Sequence, residues 1–574
     1  MAGYYRIEMS PLEYKSGVPA QHPDQPSFSV PGLQVWSEDP VINMGDFGCI
    51  IGHLFTRTDP SNRILSLTDR HLDAIRNSEG RSLLDDFWGG YVAIIARPDG
   101  DVSVLRDPSG LLPCYYRSDP PSLVLGNDVD DLAVRGPGSV DFTEVGRFLT
   151  SLDGMGRKTC LSDVAELVPG ECITWSTSST AISAWWSPWP STSLTGLVRF
   201  ETVACRLRQV VLDCVNSWTS CFQTILLGVS GGLDSSIVAT GISQGHSTLQ
   251  CLNLVGNDPG GDERRYASVL AAVLGLPLHE IWFDLAAINL DDPVAPNHPW
   301  PGAPYFMQAI SATHAAFRNE YPFDAHFSGN GGDNVFCSLY TAAPFVDRFM
   351  CEGPSSGLMT TLRDLSKLTG ADGMTILRHA WDIHRRVGAP PRIYRDPSGL
   401  SLSFVEALGP SQPLHPWLDP PDGALPGKIG HVKQIVRAHR SLELYPRRTH
   451  PAHIAPLLSQ PILEMCLNIP TWQWIHGGNN RAAARAAFQG FLPQELLTRT
   501  SKGGPSGFMR EIYQAHSGKA QEMLRDGLLA RAGMLDLSIF KGADPLTVEG
   551  SDKARRILGL CAAEAWVRWW SDAI

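Results

Sequence analysis

From about residue 197 onward, short apolar runs alternate with amphipathic stretches. The run 224–229 (TILLGV) is apolar without interruption, which is typical of a parallel strand buried on both faces. The preceding segment, 203–218, repeats its apolar positions with a helical period. This alternation predicts a doubly wound α/β sheet. Its further elements are predicted as strands over 249–255, 278–283 and 324–328 and as helices over 235–241 and 262–274.

The first part of the chain has short apolar or alternating runs that are typical of strands. They lie at 49–55, 90–96 and 102–105, and the sequence Pro98-Asp99-Gly100 predicts a hairpin turn between the last two. This pattern predicts a β-rich domain.

The stretch 175–196 is rich in Ser, Thr, Pro and Trp and has no clear period, so we place a linker there. We therefore predict one domain over 1–187 and a second over 197–574. In the second domain, residues 340–570 are predicted to add mainly helices to the sheet.

Composition narrows the class of protein. The 574 residues are 43% hydrophobic and carry a net charge of −12, so most of the chain is predicted to fold. Because 47 Lys and Arg face 59 Asp and Glu, a basic nucleic-acid binder is excluded. No secretory signal, bilayer-long apolar run or C-x-x-C pair occurs. We expect a soluble cytoplasmic protein without nucleic-acid or membrane partners.

The sequence SGGLDSS, which begins at Ser230, stands between a predicted buried strand and a predicted helix. Two glycines let the backbone approach a ligand closely, and the N–H groups of a helix N-terminus favour an anion. The carboxylate of Asp234 would be a poor neighbour for a phosphate unless a Mg²⁺ ion lay between them. The spacing differs from the Walker A motif, and no Lys follows.

SGGLDSS resembles the pyrophosphate loop of the N-type ATP pyrophosphatases, which cleave ATP between the α and β phosphates and adenylate a substrate. Further segments are similar to the asparagine synthetase group within that superfamily and occur in the same order. They are 261–267 (GDERRYA), 328–333 (SGNGGD), 456–464 (PLLSQPILE) and 492–503 (LPQELLTRTSKG).

The resemblance implies an ATP site with Mg²⁺. The pyrophosphate would be held by Ser230, Gly231, Gly232, Asp234, Ser235 and Ser236. The adenosine would be contacted by Val229, Leu254, Ser328 and Gly329. The implied catalytic residues are Lys502, Asp234 and Asp333, where the two carboxylates ligate Mg²⁺ and the ammonium of Lys502 contacts the phosphates.

In the first domain, 84–93 and 106–113 resemble the N-terminal-nucleophile (Ntn) amidotransferase half of asparagine synthetases. That half uses a Cys at position 2 to hydrolyse glutamine, whereas this sequence has Ala2, and its first cysteine is Cys49. A methyl group cannot act as a nucleophile. We therefore expect a degenerate, inactive amidotransferase-like sandwich and an amine that does not come from glutamine.

Family members with such an inactive domain include β-lactam synthetases and lasso-peptide macrolactam cyclases. The sequence SGNGGDNVF is similar to the cyclase version, and 448–455 lacks the Glu that β-lactam synthetases use. The resemblance implies adenylation of an Asp or Glu side chain of a precursor peptide, followed by attack of the peptide's own N-terminal amine. A leader peptidase and a leader-binding protein are implied as further partners.

Several alternatives stay open. A β-lactam synthetase-like or ammonia-dependent asparagine synthetase-like ligase would act on a small molecule, and a non-enzymatic relic would only bind. His450 and His453 are candidate bases for the amine, although each is also explained as a structural histidine.

Overall fold

The computed structural model describes most of the chain. The described residues are 3–11, 25–60, 62–151, 156–194, 199–245, 247–390, 393–409, 415–442, 444–445, 449–500, 503–541 and 548–572.

Two antiparallel sheets of six strands each face one another in the amino-terminal part. Alternate side chains from both sheets, such as Ile7 and Val35 from the first and Ile51 and Val92 from the second, form the core between them. The first sheet has the order β10 (Ala165–Glu166), β8 (Tyr115–Asp119), β9 (Ser122–Gly126), β1 (Tyr5–Met9), β3 (Leu33–Ser37), β2 (Phe28–Val30). The second has the order β12 (Thr180–Ala184), β11 (Glu171–Trp175), β7 (Val102–Arg106), β6 (Phe87–Ala96), β5 (Gly48–Thr56), β4 (Val41–Asn43).

Helices cover the outer face of the second sheet. Ile75 and Leu83 pack there with Ile50 and Leu105 in a second apolar layer. The helices of this part are α1 (Asp69–Asn77), α2 (Ser82–Asp86) and α3 (Phe142–Thr150).

The stretch that we predicted to be a linker contains a strand, which corrects that interpretation. β12 pairs with β11 along its whole length, from Trp175–Thr180 to Glu171–Ala184. Four of its five residues are highly exposed, because it is the edge strand of the second sheet. It therefore lacks the apolar alternation from which strands are recognised.

A five-stranded parallel sheet forms the centre of the carboxy-terminal part. Successive residues of its middle strand point to opposite faces, so that Leu226 packs with Phe317 on one face while Ile225 and Leu227 join a larger cluster on the other. This explains why the strand is apolar at three successive positions, Ile225 to Leu227. The order is β15 (Leu278–Trp282), β14 (Thr248–Val255), β13 (Thr224–Gly228), β16 (Ala325–Phe327), β17 (Ala452–Ile454).

The fold class predicted from the sequence is confirmed: antiparallel sheets in the first part and a parallel, doubly wound sheet with extra helices in the second. The helices interleaved with the parallel strands are α4 (Phe200–Thr219), α5 (Leu233–Ile242), α6 (Arg264–Leu274) and α7 (Phe306–Glu320). Those that follow β16 are α8 (Gly332–Val335), α9 (Ala343–Glu352), α10 (Ser356–Thr369), α11 (Gly373–His384), α12 (Leu402–Ala407), α13 (Pro426–His439), α14 (Gln460–Asn468), α15 (Ala482–Ala487), α16 (Gln494–Thr498), α17 (Ser506–Asp526), α18 (Leu528–Arg531) and α19 (Val548–Ser571).

The segment 456–464 lies where the two parts of the molecule meet. Glu464 on α14 accepts two hydrogen bonds from Arg57, at 2.7 and 3.0 Å, and one from Trp186 Nε1 at 3.2 Å. Ser459 Oγ accepts a hydrogen bond from Trp218 Nε1 on α4 at 3.0 Å. This segment therefore joins the parallel-sheet part to the antiparallel sheets.

Across the described residues, no helix is both long enough and apolar enough to span a bilayer.

Candidate functional site

The backbone between β13 and α5, residues 229–232 and hereafter the first loop, turns sharply at Gly231. Its φ of +60° lies in the left-handed region, and a Cβ there would stand 2.3 Å from the Cβ of Tyr266. Gly232 then caps α5, and Ser236 Oγ donates to its carbonyl at 2.7 Å. The first turn of α5 thus directs N–H groups to the carboxyl edge of the sheet, where an anion is favoured.

The second loop, residues 328–332, follows the neighbouring strand β16 and packs directly against the first turn of α5. A Cβ on Gly329 would lie 2.5 Å from the backbone nitrogen of Ser235. Asn330 Nδ2 anchors the loop by donating to the carbonyl of Ser441 at 2.9 Å. The second loop is therefore in contact with the first turn of α5, and this close approach requires a glycine at position 329.

Asp234 and Asp333 meet at a single nitrogen atom of Arg481. Arg481 Nη1 donates to the two carboxylate oxygens of Asp234 at 3.0 and 2.9 Å. The same nitrogen lies 2.5 Å from Oδ1 of Asp333. The two carboxylates predicted to ligate Mg²⁺ are thus brought together from the starts of α5 and α8, and a cationic side chain stands between them.

A cavity of about 570 Å³ opens over these groups. Arg481, Arg485 and Arg499 give its wall a cationic side, and Tyr340 and Gln434 contribute from the helical region. Its lining also includes Gly228, Ser230, Gly232, Leu233, Asp234, Ser235, Gly329, Asn330, Asp333, Asn334, Ser338, Asn480, Leu496 and Thr500.

Arg499 ties the first loop to α6 and to the chain that follows α16. Its Nη1 donates to the carbonyl of Ser230 at 3.1 Å, and its Nη2 to Glu263 Oε1 at 2.7 Å. The guanidinium carbon lies 4.0 Å from the centre of the Tyr266 ring, and Gly503 N donates to Glu263 at 3.1 Å. Because the guanidinium is planar and carries several donors, Arg499 alone fixes the relative positions of Ser230, Glu263 and Tyr266.

The predicted site residues divide into two groups. Those that line the cavity are Ser230, Gly232, Asp234, Ser235, Gly329 and Asp333. Those that support it from behind are Val229, Gly231, Ser236, Leu254 and Ser328.

Two of the supporting residues are held in the sheet. Val229 is buried, and its N–H donates to the carbonyl of Leu252 at 2.8 Å. Leu254 packs against the apolar layer that contains Phe317. Lys502 lies outside the described residues.

The candidate bases His450 and His453 both stand behind the cavity. His450 is buried beside His314, with Nε2 3.1 Å from its Nδ1, while its own Nδ1 donates to the carbonyl of Pro451. Burial lowers the pKa of His450 to about 4, so it is neutral at pH 7. Because both nitrogens are engaged, His450 is held in a structural role.

His453 supports the second loop. Its Nδ1 lies 3.1 Å from the carbonyl of Leu442, and its Nε2 lies 2.8 Å from Ser328 Oγ. A neutral ring that donates from Nδ1 accepts at Nε2, so the Ser328 hydroxyl donates to it. Ser328 Oγ also accepts from the N–H of Asn330 at 3.3 Å.

Arg481 and Arg485 are the residues that sequence reasoning missed. Arg481 stands directly before α15 and Arg485 lies within it, and both line the cavity. Arg485 donates to Asn480 Oδ1 at 2.8 Å and to backbone carbonyls near α16. The spacing R-x-x-x-R after the Asn479-Asn480 pair was visible in the sequence, but its neighbours in space were not.

The cysteines of the first 187 residues are buried thiols. Burial raises the pKa of Cys49 to about 12 and that of Cys114 to about 11. Cys160 and Cys172 are buried as well, and their pKa values are also raised by loss of solvent. None of these four therefore has the exposed thiolate of a nucleophile.

Comparison with known families identifies one match: residues 206–374 and 453–568 match the family described as asparagine synthase. No curated protein matches the chain.

Solved structures that share some similarity include the allosteric regulatory enzyme of purine biosynthesis, at 11% identity and a TM-score of 0.20 over 52% of this chain and 76% of that one. Another is the glutamine phosphoribosylpyrophosphate amidotransferase from B. subtilis, at 10% identity and a TM-score of 0.20 over 51% and 76%. Similarity this low does not establish the activity or the fold of the chain.

Proposed function

We propose that this chain is an ATP-dependent amide ligase that closes a ring in a peptide. The proposal is supported by the match of residues 206–374 and 453–568 to the asparagine synthase family. The chain would adenylate an Asp or Glu side chain of a precursor peptide, and the peptide's N-terminal amine would then displace AMP.

The single observation that supports this proposal best is the convergence of the two loops at the centre of the parallel sheet. From β13 the chain runs outward to β14 and β15 and then returns to β16 on the other side. The position between β13 and β16 is therefore the topological switch point, where open α/β sheets bind ligands beyond the carboxyl ends of their strands. Asp234 and Asp333 lie at this point.

The residues of the cavity fit a nucleotide with its magnesium ion. Mg²⁺ is commonly held by one or two carboxylates together with substrate phosphates, and Asp234 and Asp333 supply two carboxylates at one point. No group of three or more metal-ligating side chains was found in the described ranges, so phosphates would complete such a site. When bound, the ion would neutralise charge on the phosphates.

The first chemical step needs the cavity to hold two anions close together. A carboxylate oxygen of the peptide forms a bond to the α-phosphorus of ATP, and pyrophosphate leaves. The N–H groups at the start of α5 would hold the departing phosphates, and Arg485 and Arg499 give the wall compensating charge. Arg499 also fixes the first loop through the carbonyl of Ser230.

The second step closes the ring. The amine nitrogen attacks the acyl carbon, the bond to AMP breaks, and the amine loses a proton as the amide forms. Both reacting groups belong to one chain, so the acceleration comes from holding its two ends together. Lys502 is proposed to place its ammonium on the charge that develops on the leaving group.

Two features favour a peptide over a small molecule. The second loop has Gly332 before Asp333, as in the lasso-cyclase version of the motif. Tyr340 and Gln434 from the long helical region 340–450, with Ser338 just before it, form part of the cavity wall. Under this proposal the precursor peptide is the substrate, and a leader peptidase and a leader-binding protein are partners.

The test is to incubate the purified chain with Mg-ATP and a linear peptide that has a free N-terminal amine and an internal Asp or Glu. We expect AMP and pyrophosphate together with a peptide that has lost the mass of one water. AMP formation with a small amino acid and with no peptide would instead identify a small-molecule ligase.

The matched variants are Asp234→Ala and Asp552→Ala. Asp234 lies in the cavity, whereas Asp552 forms an exposed ion pair with Arg555. We expect Asp234→Ala to abolish AMP production and Asp552→Ala to leave it unchanged. Undiminished turnover in Asp234→Ala would overturn the site assignment.

A further inference from the structure

We propose that Arg481 is a resident cation that occupies the Asp234–Asp333 pair in the free enzyme, so that a divalent metal enters only together with the nucleotide. This inference rests on the proposed function, because it concerns the metal and phosphate site of the same reaction.

Arg481 and a metal ion would compete for the same carboxylates. Arg481 Nη1 lies 2.9 and 3.0 Å from the two oxygens of Asp234 and 2.5 Å from Oδ1 of Asp333. A Mg²⁺ ion would be held by these carboxylates as well. Its entry would therefore require the guanidinium to give up its contacts with them.

The negative charge of the two carboxylates explains why a cationic side chain lies between Asp234 and Asp333. Asp234 is buried, and the side chain of Asp333 is 35% exposed, so water screens the two carboxylates incompletely. Like charges that share a site repel each other, and an uncompensated carboxylate in a partly dry pocket is costly. The guanidinium of Arg481 offsets one of the two carboxylate charges.

The backbone conformation of Arg481 directs its side chain to the two carboxylates. Within the described part of the chain, Arg481 forms ion pairs with Asp234 and Asp333 and with no other residue. Its φ of +53° is in the left-handed region, which is rare for a residue with a side chain, and it stands directly before α15. Its Nε is buried without a hydrogen-bond partner among the described residues. The side chain is thus held by the two carboxylates, and phosphates in the cavity would offer its guanidinium alternative partners.

The order of binding follows from this competition. A divalent ion alone must displace Arg481 and leave a buried guanidinium without a counter-ion. A metal ion that binds together with the nucleotide introduces phosphate oxygens, which can pair with the guanidinium of Arg481 in place of the two carboxylates. The free enzyme should therefore bind metal weakly, and the nucleotide should strengthen metal binding.

The affinity of the protein for Mn²⁺ alone, measured from the electron paramagnetic resonance signal of the ion, tests the inference without any turnover. We expect Arg481→Met to bind Mn²⁺ at least tenfold more tightly than the unaltered chain, because the guanidinium no longer competes for the two carboxylates. In the double variant Arg481→Met/Asp234→Asn the gain should disappear. With α,β-methylene-ATP present, the unaltered chain should acquire a tight Mn²⁺ site.

Arg348→Met is the matched control, because Arg348 pairs with Glu352 on α9 outside the cavity. We expect no gain in Mn²⁺ affinity from it. If Arg481→Met does not fold, the unaltered chain decides the question: a tight Mn²⁺ site without nucleotide overturns the inference, and a weak site that tightens with the analogue supports it.

These outcomes are separate from those of the proposed function. Absence of ring closure with every peptide would refute peptide cyclisation and leave the Mn²⁺ measurements unaffected. Equal Mn²⁺ affinity in Arg481→Met and the unaltered chain would refute the role of Arg481 even if the peptide reaction were observed.

Discussion

The absence of a side chain at position 332 determines how Asp234 is placed. A Cβ on Gly332 would lie 2.4 Å from Cγ and 2.5 Å from Cβ of Asp234. The second of these atoms cannot rotate away, because it is fixed to the backbone of α5. The Gly-Gly-Asp sequence of the second loop therefore has a physical reason in this molecule: it makes room for the carboxylate that Arg481 binds.

We expect Gly332→Ala to displace Asp234 and lower the rate of AMP formation at least tenfold, which corresponds to about 1.4 kcal/mol in the barrier. The control is Gly518→Ala on α17, where an added Cβ meets nothing within 4 Å. Initial rates of AMP release at saturating peptide would measure both. If the two variants kept the same rate, Gly332 would not control the position of Asp234.

For individual residues, the sequence indicated the two carboxylates, Asp234 and Asp333, but not Arg481, the cation that binds them. SGGLDSS and SGNGGD each carry a recognisable pattern of glycine and carboxylate, so Asp234 and Asp333 were predicted together. Arg481 lies 247 positions from Asp234 and in no such pattern. Only the packing of α15 against α4 and the central sheet brings it to the carboxylates.

Among the elements, β16, β17 and α7 share a buried group of imidazoles. We call the group His314, His326, His450 and His453 the histidine cluster; its rings lie within about 6 Å of one another in most pairs and around Tyr445. Burial lowers the pKa of His314 to about 3 and that of His326 well below its usual value. His314, His326 and His450 are therefore neutral at pH 7, and the cluster supports the part of the sheet that carries the second loop.

This cluster should make the protein sensitive to acid. A histidine whose pKa is lower in the folded state stabilises the fold above about pH 6.5 and loses that contribution as the pH falls. For His450, with a folded pKa of about 4, the loss between pH 6.5 and 5 is about 2 kcal/mol. We expect His450→Gln to reduce the fall in the free energy of unfolding between pH 7 and 5 by about that amount.

Urea unfolding at the two pH values would measure the difference. His379→Gln on α11 is the control, because His379 is exposed and should leave the pH dependence unchanged. An unchanged pH dependence in His450→Gln as well would show that His450 does not resist protonation in the folded state.

The elements themselves were largely predictable where their pattern was strong. The predicted strand at 249–255 and helix at 262–274 agree with β14 and α6 to within two residues at each end. β12 and β17 were not predicted, because a short edge strand with exposed or polar residues has no apolar alternation. Their pairing partners, β11 and β16, identify them only in the folded chain.

For the whole molecule, the contact between the antiparallel sheets and the parallel-sheet part is polar as well as apolar. Arg57 binds Glu464 through Nη1 and Nη2 of its guanidinium, and Trp186 and Gln460 donate to the same carboxylate. Nearby, Trp218 packs against Phe55 in the apolar core. The amino-terminal sheets thus buttress α14 and α4, whatever their own chemistry is.

We expect Arg57→Met to lower the free energy of unfolding by about 1–2 kcal/mol, because Glu464 loses a charged, two-pronged partner at a half-buried site. Arg555→Met is the control: its ion pair with Asp552 is exposed, and its loss should cost less than about 0.5 kcal/mol. Guanidinium unfolding followed by tryptophan fluorescence would compare them. Equal losses would mean that the Arg57 contact does not join the two parts.

The sequence by itself determined the class of fold and identified six of the residues that line the cavity. Periodicity reports which faces are buried, and a loop of Gly, Ser and Asp after a buried strand is a local pattern. The tertiary structure alone decided that the second loop packs against the first turn of α5 at Gly329 and that the motif at 456–464 serves the contact between the parts. It also decided that Arg481 stands between Asp234 and Asp333. The physical reason is that these contacts join residues more than 90 positions apart, and a charge pair over such a separation has no periodicity in the sequence.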